Sequence, residues 1–204
     1  SICHRFFLEG FSVICYTSSM RLFIAFEIPE QIKEHLICLM EDLKPLCNGA
    51  RWVRREDLHI TLAFLGETDP SLVPVIADVL EDAACNFKAQ NVRITHLGTF
   101  PNTTHASVLW TGIEKNPQLF TIADVVRKNL SEQNPQITFD AKPFKPHITL
   151  ARFKIQQNIS TAIQKQFQDI AFTLNTIVLY ETVWLHGGGH RYEKRASVSL
   201  EYNK

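Results

Sequence analysis

The chain has 204 residues, 45% of them apolar and 21% charged, with lysine plus arginine equal to aspartate plus glutamate at 21 each. That length suits one substantial domain, or two intimate lobes sharing a core, and the composition is that of an ordinary globular protein. Zero formal charge argues against a charge-driven grip on long nucleic acid, so any polyanion must be held by a local basic patch.

In chain order, Ser1–Ser19 carries His4 and Arg5 ahead of apolar residues, as a signal peptide would. Glu9 and Gly10 interrupt the apolar run, and no small-residue cleavage site follows. Residues 1–19 therefore read as an N-terminal extension or expression remnant, with Met20 as the native start. Residues 20–204 read as a single bilobal domain.

Arg21–Glu27 is rich in β-formers and predicts a strand. Pro29 fits the first turn of a helix with Ile32, Leu36, Leu39, Met40 and Leu43 at helical spacing, ended by Pro45 and Asn48-Gly49. Trp52–Val53 and Leu58–Leu65 read as extended, and 71–87 as a helix. Strands follow over 91–97 and 106–111, with Gly98-Thr-Phe-Pro-Asn as the turn between them. A third helix over 119–130 precedes a strand over 146–153 and a shorter helix around 161–167. Two long strands close the chain, 172–185 and 191–201, joined by Gly187-Gly188-Gly189.

The informative feature is a repeat: His59-Ile60-Thr61-Leu62-Ala63 recurs as His147-Ile148-Thr149-Leu150-Ala151. Basic residues precede each copy, and an aromatic closes each (Phe64 and Phe153). A tandem repeat of strand-and-helix units about a pseudo-two-fold axis would place the two motif strands face to face. Strand parity then puts His59, Thr61 and Ala63 on one face and Ile60, Leu62 and Phe64 on the other, with the second copy sorted alike.

Two such faces make a cleft holding two imidazoles and two hydroxyls, a set suited to phosphodiester hydrolysis. A neutral histidine takes a proton from water while a protonated one gives a proton to the leaving oxygen, each transfer typically worth ~10²–10⁴-fold. Threonine hydroxyls and backbone N–H groups hold the non-bridging oxygens. A 2',3'-cyclic phosphate suits this small apparatus, because its ring is strained and its leaving group stays tethered. Arg51, Arg54 and Arg55 precede the first motif, and Lys142, Lys145, Arg152 and Lys154 surround the second. Such a patch focuses a phosphate without binding long RNA tightly.

Each element also has a plainer reading. A single HxT on a strand is more often structural than catalytic, and only duplication of the whole unit reverses that. Basic flanks are commonly solvated surface, and Trp52, Phe64, Phe100 and Phe153 read as core before base-stacking platforms. His96 and His105 receive no role, and His186 and His190 read as a surface loop. Two histidines without a recurring carboxylate or cysteine make a poor zinc site, and no metal or cofactor is expected. The five cysteines (Cys3, Cys15, Cys38, Cys47, Cys85) lack CxxC spacing and read as free thiols in a reducing cytoplasm. No apolar run reaches the ~18 residues of a membrane span.

With MRLFIAFEIP, RWVRREDLHITLAFLGE, THLGTFPN…VLWTGI and PHITLAR, the chain from Met20 to about Tyr192 resembles the 2H phosphoesterase superfamily. Its nearest branch is the LigT-like RNA 2',3'-cyclic phosphodiesterases, also called 2'-5' RNA ligases. The resemblance implies an α+β, bilobal, pseudo-two-fold duplicated fold, with two antiparallel sheets flanking a central cleft and helices outside. It implies metal-free hydrolysis of RNA or nucleotide 2',3'-cyclic phosphate to a 2'-phosphomonoester by a monomer. His59 would be the proton donor, His147 the acceptor, and Thr61 and Thr149 phosphate ligands. The two copies are identical there, so their residues alone leave the two histidine roles open. It further implies Arg152 as a phosphate contact, with Phe64 at the matching position, whereas strand parity places Arg152 opposite His147. A bulge, or a strand ending before Arg152, would reconcile the two. Alternatives are a 2',5'-phosphodiesterase or reversible ligase acting on tRNA halves, and a noncatalytic module that binds RNA ends.

Overall fold

The computed structural model describes residues 4–8, 11–15, 19–140 and 143–202. The expectations for residues 1–19 and for Lys142 fall wholly or largely outside these. Strands β1 (His4–Leu8) and β2 (Phe11–Cys15) form an antiparallel pair that, among the described residues, shares no ladder with the other sheets.

The chain continues as β3 (Met20–Glu27), α1 (Glu30–Leu43), β4 (Ala50–Trp52), β5 (His59–Thr68), α2 (Val73–Asn86), β6 (Gln90–Phe100) and β7 (Ala106–Ile113). Then come α3 (Pro117–Gln133), β8 (His147–Gln157), α4 (Ser160–Ile163), β9 (Ile170–Leu174), β10 (Thr176–Trp184) and β11 (His190–Ser199). Two antiparallel sheets result, one ordered β11-β10-β3-β5 and the other β4-β8-β7-β6-β9, so the α+β two-sheet architecture is as expected.

Three sequence expectations differ from the structure. Gly98–Phe100 continues β6 instead of turning, and the reversal falls after a cis Phe100–Pro101 bond. Gly98 is there because the Trp110 indole lies across it; a Cβ would sit 2.2 Å from the ring. The helix expected around 161–167 is one turn, Ser160–Ile163. The single long strand expected over 172–185 is two strands in different sheets, broken at Asn175.

Both motif strands bury one face in the main core. Leu22, Ile24 and Phe26 of β3, Ile60 and Leu62 of β5, and Ile148 and Leu150 of β8 join apolar residues of α1, α2 and α3 there. The other face of β3 carries Phe23 and Ala25, which form a second small cluster with Val178 and Tyr180 against Tyr192. That layer is the floor under the first motif. No described helix is long and apolar enough to cross a membrane.

Candidate active site

The two motif strands are matched in register as well as in sequence. Along β3–β5, Ala25 faces Thr61 and Ile24 faces Ala63, so Leu62 is an extra residue on its strand. Along β7–β8, Trp110 faces Thr149 and Leu109 faces Ala151, so Leu150 is extra in the same way. An extra residue of this kind is a β-bulge, and it reverses side-chain parity beyond it. Leu62 and Ala63 are consequently both buried, as are Leu150 and Ala151. Phe64 and Arg152 swing onto the face of the histidines and threonines, where they line one cleft with His59, Thr61, His147 and Thr149. Strict alternation puts Ala63 and Ala151 on that face and Phe64 and Arg152 opposite. The bulge corrects this and seats Arg152 beside the motif.

The bulge carbonyls are not orphaned. Leu62 O accepts from the Arg127 guanidinium at 2.8 Å, and Leu150 O from the Val53 N–H at 2.9 Å. Strands β5 and β8 approach each other, and the cleft between the sheets has a volume of about 710 Å³.

Both imidazoles are tied by Nδ1 to a carbonyl two residues back, His59 to Asp57 O at 2.6 Å and His147 to Lys145 O at 2.6 Å. A carbonyl can only accept, so Nδ1 carries the proton in each neutral ring and Nε2 is left as the working nitrogen. At His59 the Thr61 hydroxyl donates to Nε2 at 3.1 Å. Asp57 is itself buried and held by a two-pronged contact from Arg54 (2.8 and 3.1 Å), whose guanidinium also donates to His190 O.

The rings differ in setting. His59 packs on Phe23 (4.9 Å between centroids) and edge-on to Tyr192 (5.5 Å). Burial pushes its pKa down to about 4, with the charges of His147 and Arg152 acting the same way. His147 lies edge-on to Phe100 at 5.1 Å, with Trp110 behind it at 5.9 Å. Burial lowers its pKa too, helped by the charges of Lys145 and Arg152. Both are neutral at pH 7 in the free protein. Burial raises the Tyr192 pKa, so its hydroxyl keeps its proton.

Of the basic flanks, Arg51, Arg54 and Arg152 line the cleft, whereas Arg55 is turned away onto Glu30 and Glu34. Lys145 Nζ lies 4.5 Å from the Trp110 ring and 5.0 Å from Phe100. Among the aromatics expected in the core, Phe153 is buried and Phe100 packs on His147. Trp52 lines the cleft, and Phe64 is 48% exposed there. The His186–His190 loop divides: Gly188, Gly189 and His190 reach the cleft mouth with Trp184, which is 65% exposed. Sequence reasoning missed Arg21, Phe23, Trp184 and Tyr192. Trp184 and Tyr192 carry a sequence signal, their places on the strands that flank the glycine run.

Comparison with known proteins places this geometry in a family. The family model described as the 2'-5' RNA ligase superfamily matches residues 28–183. A Thermotoga maritima protein named RNA 2',3'-cyclic phosphodiesterase is 32% identical over 75% of this chain and 79% of its own length. A Methanocaldococcus jannaschii protein of the same name is 31% identical over 75% of this chain and 84% of its own. A crystal structure from Thermus thermophilus superposes with TM-score 0.71 at 26% identity, covering 91% of this chain and 100% of that one. Escherichia coli LigT, crystallised with 3'-AMP, shares the fold at TM-score 0.69 and 23% identity over 89% and 98% of the two chains. With a family match over most of its length and relatives above 30% identity, the chain belongs to the 2'-5' RNA ligase superfamily.

Proposed function

We propose that the chain is an RNA 2',3'-cyclic phosphodiesterase that opens the cyclic phosphate to a 2'-phosphomonoester without a metal, using His59 and His147 as acid and base. The observation that carries this reading is the convergence of both HxT pairs on one cleft, each imidazole anchored through Nδ1. The activity named for the T. maritima and M. jannaschii relatives supports it.

The step balances simply. His147 Nε2 takes a proton from water as the water oxygen bonds to phosphorus. The P–O3' bond breaks, and His59 delivers its Nε2 proton to O3'. Proton exchange with solvent resets both rings. Thr61, Thr149 and Arg152 hold the non-bridging oxygens, where charge builds in the transition state. An anionic phosphate between the rings offsets the burial that keeps His59 neutral in the free protein, so the acid is charged together with substrate binding. Once charged, it is a strong donor. Phe64 and Trp184, exposed at the mouth, offer flat surfaces to the nucleobase.

Among the described residues, no group of three or more His, Cys, Asp or Glu is placed to hold a metal ion. The test is turnover of a nucleoside 2',3'-cyclic phosphate by protein stripped with EDTA, with the product isomer identified. The expected result is undiminished turnover to the 2'-phosphate. Activity that returns only with added zinc would overturn the metal-free mechanism, and a 3'-phosphate product would overturn the direction of ring opening.

A further inference from the structure

Arg51 on β4 lies directly opposite Arg152 on β8, and both line the cleft. Side chains directly opposite on antiparallel strands share a face with Cβ atoms about 4.5–5.5 Å apart, and like charges so placed are destabilising. Elsewhere the fold neutralises its arginines. Arg21, Arg54, Arg55, Arg93, Arg191 and Arg195 each have a carboxylate partner, and Arg127 donates to a carbonyl. Among arginines whose side chains are described, Arg51 and Arg152 alone have neither an ion pair nor a hydrogen bond.

The register tells the two apart. Arg152 is on the motif strand itself, and its charge is felt by both histidines. Arg51 is one strand further out, a step of about 4.8 Å, on the short strand that the first half of the chain lends to the second sheet. Beside it Trp52 also lines the cleft. An anion held by Arg152 at the reaction centre therefore leaves a second cationic position, one strand away, with no ion-pair partner among the described residues.

We infer that Arg51 is a specificity-determining residue that binds the phosphate on the 5' side of the terminal nucleotide, next to the cyclic phosphate held at Arg152. This rests on the phosphodiesterase reading above. A terminal nucleotide has one such further phosphate. In RNA it is the diester to the preceding nucleotide, and in a mononucleotide it is a free 5'-phosphate. A nucleoside 2',3'-cyclic phosphate lacks it.

The experiment compares kcat/KM for cytidine 2',3'-cyclic phosphate, its 5'-phosphorylated form, and the dinucleotide CpC ending in a 2',3'-cyclic phosphate. The wild-type protein should favour the last two, and in R51Q the preference ratio over the nucleoside should fall roughly tenfold, as for one lost charge-assisted contact. R51K should retain part of the preference. Equal preference for the two 5'-phosphorylated substrates assigns the site to a free phosphate or diester alike, and preference for the dinucleotide alone assigns it to RNA. A ratio that stays within about twofold of wild type in R51Q overturns the inference. Binding of cytidine 2'-phosphate against cytidine 2',5'-bisphosphate, by calorimetry, applies the same comparison without turnover. If no cyclic phosphate is hydrolysed the phosphodiesterase reading fails, while the bisphosphate preference and its loss in R51Q still decide the role of Arg51.

Discussion

At His59, an Nδ1–H bond to Asp57 O holds the ring, while Phe23 and Tyr192 pack against it. Burial makes charging that ring more costly than the Asp57 carbonyl and carboxylate offset, which is why its pKa falls to about 4. On the proposed mechanism, bound phosphate reverses this. Histidine NMR titration should show both midpoints below the usual imidazole value in the free protein, and both rising when inorganic phosphate fills the cleft. Midpoints indifferent to phosphate would contradict the site. The same shift bears on stability. The unfolded chain protonates His59 near pH 6.5 and the folded chain only near 4, so the unfolded state binds the extra proton in between. Stability contributed by the neutral ring is present above pH 6.5 and lost as pH falls toward 4, by roughly 3 kcal/mol. In denaturant titrations at pH 4.5 and 7.5, His59→Asn should narrow the difference between the two.

Elements explain what alternation could not. The five-residue repeat was legible, and with it the two strands, the cleft and the two pairs. Side-chain period alone placed Phe64 and Arg152 on the wrong face, because a bulge leaves no mark in composition: Leu62 and Leu150 look like any core residues. The resemblance to a family pointed to Arg152, and the bulge supplies the geometric reason. Residues 172–185 read as one continuous strand because Asn175 is a single polar residue between two β-rich runs, and only pairing shows that the runs enter different sheets. Gly98 reads as a turn residue for a related reason. Its missing Cβ makes room for Trp110 across the ladder, and Gly112 does the same for His96, with a Cβ there only 2.1 Å from that ring. Gly98→Ala and Gly112→Ala should each lose about 1–3 kcal/mol in denaturant titrations through overpacking. Because Trp110 and Phe100 back His147, Gly98→Ala should also lower kcat more than it raises KM. A variant as stable and active as wild type would show that the ring contact carries no weight in stability or turnover.

Across the whole molecule the halves complete each other. Strands β10 and β11, from the end of the chain, pair beside β3 in the sheet of the first motif, while β4 from the first half flanks β8 in the sheet of the second. Arg54 fastens this exchange by holding Asp57 and His190 O together, so the turn before His59 is joined to the loop that ends at the cleft mouth. Arg54→Gln should therefore raise KM and lower kcat together in steady-state assays, since it loosens both a motif histidine and the mouth. An effect on neither would dismiss that link. In the proposed mechanism two histidines from opposite sheets act as one acid–base unit. Single-turnover hydrolysis of a nucleoside 2',3'-cyclic phosphate in EDTA, by wild type, His59→Ala, His147→Ala and the double variant, tests it most directly. Each single variant should lose roughly 10²–10⁴-fold, and the double variant little more than either, as groups acting together do. A single variant that hydrolyses within about threefold of the wild-type rate would contradict it.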